Sequence, residues 1–229
     1  MKRTALVALA LAGLLGTAAC SGSDSGGSSD GGSGSGGSGT SATPYLPVPD
    51  GVELTEQGSQ LSVGDHAVVA YHPRQDQVGV LDLQVTELQK ASVKDLSAWQ
   101  LSPEQKASTP YYVRATVKNV GDTDLGGRPV PLYVVNEKNV LLEATPFASS
   151  FEPCPSTPLP DKFPTGASTK ACLVYLAPDH GQLTAVSFRP DESFNPITWT
   201  GDVVPYEAPK PPKPSKSGKA KNSKKGNGQ

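Results

Sequence analysis

From Tyr111 to Lys118 the chain alternates without a break. Tyr111, Val113, Ala115 and Val117 fall on one side, and Tyr112, Arg114, Thr116 and Lys118 on the other. A period of two marks a strand with one face in a core and the other toward water. The run ends in Asn119-Val120-Gly121-Asp122, a turn composition. Further strands are expected at His66–Tyr71, Ala171–Leu176, Leu183–Phe188 and Ile197–Thr200. Val78, Val80, Leu83 and Val85 bracket a phase change at Leu81 that predicts a bulge. Pro131 to Val135 and Asn139 to Leu142 read as two short strands around Asn136-Glu137-Lys138. Val93 to Gln105 carries a loose helical spacing, which Pro103 limits to a turn or two. About seven or eight short strands punctuated by Pro and Gly predict an all-β fold, an antiparallel β-sandwich. Sequential pairing is expected, because no interval holds the crossover helix that parallel neighbours need.

That pattern occupies residues 44–205 of 229, and the rest is of another kind. Ser21 to Ser41 consists of Gly and Ser apart from Asp24, Asp30 and Thr40. Such a segment has no apolar surface to offset its ordering entropy, so residues 20–43 read as a flexible linker. Its root-mean-square reach is about 26 Å. At the other end, residues 206–229 are rich in Pro and Lys and read as a disordered, extended tail. Charge divides along the same boundaries. Residues 44–205 hold 11 Lys and Arg against 19 Asp and Glu, a net charge of −8. The tail carries Lys210, Lys213, Lys216, Lys219, Lys221, Lys224 and Lys225 against Glu207, a net charge of +6. The overall figure of −2 conceals this asymmetry.

The first 19 residues are an address. Lys2 and Arg3 precede an apolar run from Ala5 to Leu15, too short for the roughly 20 residues a spanning helix needs. Leu15-Gly16-Thr17-Ala18-Ala19-Cys20 resembles the lipobox of bacterial lipoproteins. The resemblance implies that the Cys20 sulfur receives a diacylglycerol and that Cys20 becomes the new N-terminus. Two acyl chains suffice for stable membrane attachment. The expected location is the outer face of the cytoplasmic membrane.

Tyr111-Tyr112-Val113-Arg114-Ala115-Thr116-Val117-Lys118-Asn119-Val120-Gly121-Asp122 resembles the central strand and turn of the DUF4352 group. These are small Ig-like, or telokin-like, domains of exported lipoproteins. A closer likeness is to an actinobacterial lipoprotein family, carried by Pro110-Tyr111-Tyr112-Val113, Cys154-Pro155-Ser156-Thr157-Pro158-Leu159-Pro160, Cys172-Leu173-Val174-Tyr175 and Ile197-Thr198-Trp199-Thr200-Gly201. It covers about residues 60–201 and implies an Ig-like sandwich in the envelope, with no assigned activity. The antibody pattern is absent, since no Trp lies between Cys154 and Cys172 and no Tyr stands two before Cys172.

Few residues remain for chemistry. With Cys20 consumed by lipid, Cys154 and Cys172 form an even pair in an oxidising compartment and read as a structural disulfide. They lack the C-x-x-C spacing of a redox pair. His66, His72 and His180 lie in separate segments without metal-ligand spacing, and no nucleophile elbow occurs, so neither metal, cofactor nor catalysis is expected. Asp122 and Asp124 sit in a Gly-bearing turn that lacks the distal Glu of a calcium loop, and a plain turn is the expectation. Tyr111 and Trp199 read as core. Trp99 and Tyr112 are the aromatic candidates for a partner contact, since Tyr and Trp anchor interfaces.

These residues describe a lipid-anchored, non-catalytic binding or structural module of the cell envelope. Its lysines are candidates for contact with an anionic wall polymer; a solvated tail folding over its own acidic domain is the other reading. Nucleic acid is not expected, because beyond Tyr206 no aromatic interleaves the lysines. The alternative function is an accessory subunit docking its acidic domain on a membrane enzyme or transporter. A solute receptor is a weaker third.

Overall fold

The computed structural model describes residues 44–147 and 151–208. The segments expected as signal and linker, with Cys20, and the tail from residue 209 onward, with all seven of its lysines, lie outside the described residues.

Among the described residues, ten strands form two packed sheets. In chain order they are β1 (Gln60–Ser62), β2 (His66–Arg74), β3 (Gln77–Lys90), β4 (Thr109–Asn119), β5 (Tyr133–Asn136), β6 (Leu141–Leu142), β7 (Ser168–Ala177), β8 (Leu183–Phe188), β9 (Ile197–Thr200) and β10 (Val203–Pro205). One sheet runs β1-β9-β8-β5-β6. The other runs β10-β3-β4-β7, and β2 also pairs with β3. The fold is therefore the all-β sandwich that the alternation predicts. The Val93–Gln105 stretch yields a 3-10 turn, Val93–Leu96, and one short helix, α1 (Pro103–Lys106). Ser92 and Ser102 cap them, and Pro103 stands in the first turn of α1, where a missing N–H costs nothing.

Two expectations are corrected. Sequential antiparallel pairing holds for β2–β3, β3–β4, β5–β6 and β8–β9, but β1 pairs with β9 and β10 with β3 in parallel. A parallel pair needs a long connection, not specifically a helix, and here most of the domain intervenes between the partners. The bulge lies at Thr86, between Val85 and Glu87, rather than at Leu81. Leu81, Leu83 and Val85 share the core face, and the extra residue at Thr86 lets Leu88 return to it.

The main core lies between the sheets. Tyr111, Val113, Ala115 and Val117 of β4 meet Val134, Val186, Phe188, Ile197 and Trp199 of the facing sheet in one buried cluster. Tyr71 Oη finds no partner among the described residues, but three other polar-tipped aromatics reach carbonyls: Tyr175 Oη donates to Leu132 at 2.7 Å, Trp199 Nε1 to Asp65 at 3.1 Å, and Tyr111 Oη to Gly181 at 3.2 Å. For these three, that removes the penalty of burying an unpaired group.

Asn119, where β4 ends, ties two loops together. Its fully buried amide nitrogen donates to Thr123 O at 2.8 Å and Phe163 O at 2.7 Å, while Oδ1 accepts from Gly121 N at 3.0 Å. Asp124, expected in a plain turn, accepts from Gly126 N at 2.9 Å and Phe163 N at 2.8 Å through Oδ1. A Cβ at Gly126 would overlap the carbonyl of Asp161, so this close approach requires glycine.

Asn119→Ala strips two carbonyls and one amide of their partners at once. We expect a loss of about 3 kcal/mol, since each orphaned buried group costs about 1–3 kcal/mol. A urea melt with an unshifted midpoint excludes this role.

Candidate functional site

Sheet β10-β3-β4-β7 has an outer face that divides into two halves. The even-numbered residues of β4 point there, and near its start the face is covered. After β3 the chain crosses back through residues 91–108, and between β6 and β7 it passes through Phe147 and Phe151 to Cys154. These excursions close a second core of Leu96, Tyr112, Phe151, Cys154, Cys172 and Val174, with Trp99, Leu101, Phe147, Leu176 and Tyr206 packed against it. Trp99 lies 4.8 Å from Phe147 and 5.1 Å from Phe151 between ring centroids, and Phe151 stands 5.7 Å from Tyr112. Contacts of this kind add about 0.5–1.5 kcal/mol each beyond area burial.

The expected disulfide joins Cys154 to Cys172. It fastens this aromatic cover to β7 across a sequence separation of 18. On the loop-entropy account that is worth about 3 kcal/mol. It lies on the outer face of one sheet instead of bridging two sheets, in keeping with the missing antibody pattern.

Tyr112 is corrected from a surface candidate to a core residue. It is fully buried, because the cover lies over the end of β4 where alternation alone places it toward water. Burial pushes its hydroxyl pKa well above the usual range, with smaller contributions from Asp95 and Tyr206. Trp99 is half-buried and holds the cover together, leaving only part of its surface for any partner. Neither Tyr112 Oη nor Trp99 Nε1 finds a partner among the described residues. Tyr111 and Trp199 are core, as expected.

Both ends of the described domain are latched. Tyr206 stacks edge-on against Tyr112 at 5.0 Å and its N–H donates to Lys90 O at 2.8 Å, so the basic tail leaves from a defined point beside the cover. Tyr45 packs on Phe194 at 5.1 Å, and its hydroxyl accepts from Ala70 N at 3.1 Å.

The other half of the outer face is open. It displays Arg114, Thr116 and Lys118 of β4 beside Lys170 of β7, with Thr116 opposite Lys170 and Arg114 opposite Cys172. Arg114 Nη2 donates to Pro153 O and Nε to Gln89 Oε1, both at 3.1 Å, and Nε lies 3.4 Å from Glu87. His66 Nδ1 meets Asp82 Oδ1 at 2.8 Å at the far edge. A cleft of about 690 Å³ opens here between the sheet and the segment Pro155–Pro160. A second cleft of about 520 Å³ is lined by Pro73, Pro129, Pro131 and Pro146 with Tyr71 and Arg128. Burial pushes the Tyr71 hydroxyl up to about 12, with Arg128 pulling weakly the other way.

Arg114 and Lys170 went unrecognised as site residues in the sequence. Their signal was available, because both occupy the water-facing parity of paired strands. Among the described residues no cluster of His, Cys, Asp or Glu is arranged to hold a metal ion. No family model, curated protein or solved structure matches this chain.

Three tyrosines, Tyr71, Tyr112 and Tyr175, are raised mainly by desolvation. A raised folded pKa means that the folded state holds its proton longer, so the associated stability is complete below about pH 10 and lost above it. We expect stability to fall as pH rises from the ordinary tyrosine value of 10.0 to about 12. Tyrosinate absorbance that reaches its full amplitude while the fold is intact contradicts the burial of these hydroxyls.

Proposed function

We propose that the protein is a lipid-anchored module on the outer face of the cytoplasmic membrane. It acts without catalysis, in binding or in structural support, and its Lys/Pro tail contacts an anionic wall polymer. The observation that supports this reading is the Cys154–Cys172 disulfide. A bond of that kind persists in exported proteins and rarely in reducing compartments. It also leaves Cys20 as the one remaining cysteine of the three, directly after the signal-like segment. The likeness of the β4 strand and turn to envelope lipoprotein domains supports the same location.

The mechanism is positional. Cys20 holds the membrane, the Gly/Ser linker gives reach, and the Tyr206 latch sets where the basic tail departs from an acidic body. Each lysine near an anionic surface contributes about 1 kcal/mol, weakening as salt screens it. The net charge of −8 over residues 44–205 favours a second reading, in which the acidic domain docks on a basic surface of a membrane enzyme or transporter.

Labelled palmitate is expected to enter the protein, and Cys20→Ser to release it from membranes. Undiminished membrane attachment of that variant excludes the anchor. Retention on purified cell wall is expected to fall with rising salt and after deletion of residues 207–229. Unchanged retention of the truncated chain removes the tail from the mechanism and leaves the docking reading, which a pull-down through that chain then tests.

A further inference from the structure

The open cleft on the outer face has a lining unlike the rest of this acidic domain. Arg114 and Lys170 contribute its charge, Thr86, Thr116 and Thr157 contribute hydroxyls, Thr169 borders it from the face it shares with Val117, and no Asp or Glu lines it. Its volume of about 690 Å³ falls within the range of ligand sites, about 300–1,000 Å³.

The donors are spare as well as near. The bonds of Arg114 to Pro153 and Gln89 engage Nη2 and Nε, which fixes the plane of the guanidinium and leaves Nη1 free among the described residues. Glu87 offsets part of its charge from one side. Lys170 is exposed and takes part in no ion pair among the described residues. The three threonine hydroxyls make none of the side-chain hydrogen bonds found there.

The edge of β7 adds main-chain groups. Cys172 O accepts from Ser156 N at 2.9 Å and Val174 N donates to Ser156 Oγ at 3.1 Å, so this parity of β7 faces away from β4. In an antiparallel ladder both polar groups of a residue share one side, which turns the N–H and C=O of Lys170 to the same open edge. The facing segment brings Pro155, Pro158 and Pro160, which have no N–H to compete.

A guanidinium fork, an ammonium, a peptide N–H and a set of hydroxyls suit a ligand with clustered anionic oxygens and neighbouring hydroxyls. We propose that this cleft binds the phosphate groups of a phosphodiester-linked polyol or glycan chain. Arg114 and Lys170 meet the phosphate oxygens, and the threonines meet the polyol hydroxyls. The inference rests on the envelope-binding reading and gives the folded domain a polymer contact of its own, separate from the tail.

The test is calorimetric titration of the full chain in detergent micelles with poly(glycerol phosphate), beside polygalacturonate and neutral dextran. Deletion of residues 207–229 is expected to weaken binding of the phosphate polymer but to leave a saturable component. Lys170→Gln, added to that deletion, is expected to reduce the remaining affinity roughly tenfold, whereas Lys162→Gln, outside the cleft, leaves it unchanged. Lys170 is exposed and takes part in no salt bridge among the described residues; each variant, Arg114→Gln included, is read only where its melting curve matches the parent. Loss of all binding on tail deletion overturns the cleft and leaves the tail reading intact. Binding that the deletion leaves undiminished and that is lost with Lys170→Gln supports the cleft and removes the tail. Equal affinity for polygalacturonate, or a Lys170→Gln variant that binds as the parent does, overturns the proposal.

Discussion

The ladder of β3, β4 and β7 is the constraint on which the rest of the molecule depends. β4 is bonded along both edges, to β3 from Leu81 to Lys90 and to β7 from Ser168 to Ala177. A strand held on both sides cannot slip by one residue without turning its whole apolar set toward water. The inner row, Tyr111, Val113, Ala115 and Val117, is thereby committed to the main core. Everything proposed for the outer face follows from the register of the other row.

That outer row shows how one strand face serves two environments. Tyr112 and Arg114 are neighbours on it, yet one lies beneath an aromatic cover and the other beside an open cleft. The dividing line is where the excursions around Trp99 and Phe151 end, pinned by the Cys154–Cys172 bond. The disulfide therefore does more than restrict the unfolded chain. It fixes how much of the sheet is sealed, and so where the cleft begins. The tail latch at Tyr206 belongs to the same sealed region, which couples the departure point of the basic segment to the integrity of the cover.

Much of this fold was legible in the chain. Leu183–Phe188 and Ile197–Thr200 are read to the residue, and Pro103 correctly limits the one helical stretch. Asn119 stands in a turn signal, but nothing local reveals that its amide binds Phe163, 44 residues away. The bulge was misplaced by a few residues because Val78, Val80, Leu81, Leu83 and Val85 admit more than one phase, and pairing with β4 selects among them. The parallel pairs β1–β9 and β10–β3 join segments distant in sequence, which no local pattern encodes.

The amino-acid order alone determined the all-β character and the separation of an acidic body from Gly/Ser and Lys/Pro ends. These follow from period, composition and counting, which are local or additive properties. The tertiary structure decided the fate of the water-facing row of β4, burying Tyr112 and leaving Arg114 and Lys170 beside an open cleft. Burial is a relation between segments remote along the chain, so a strand's own sequence names its two faces without saying what comes to cover them.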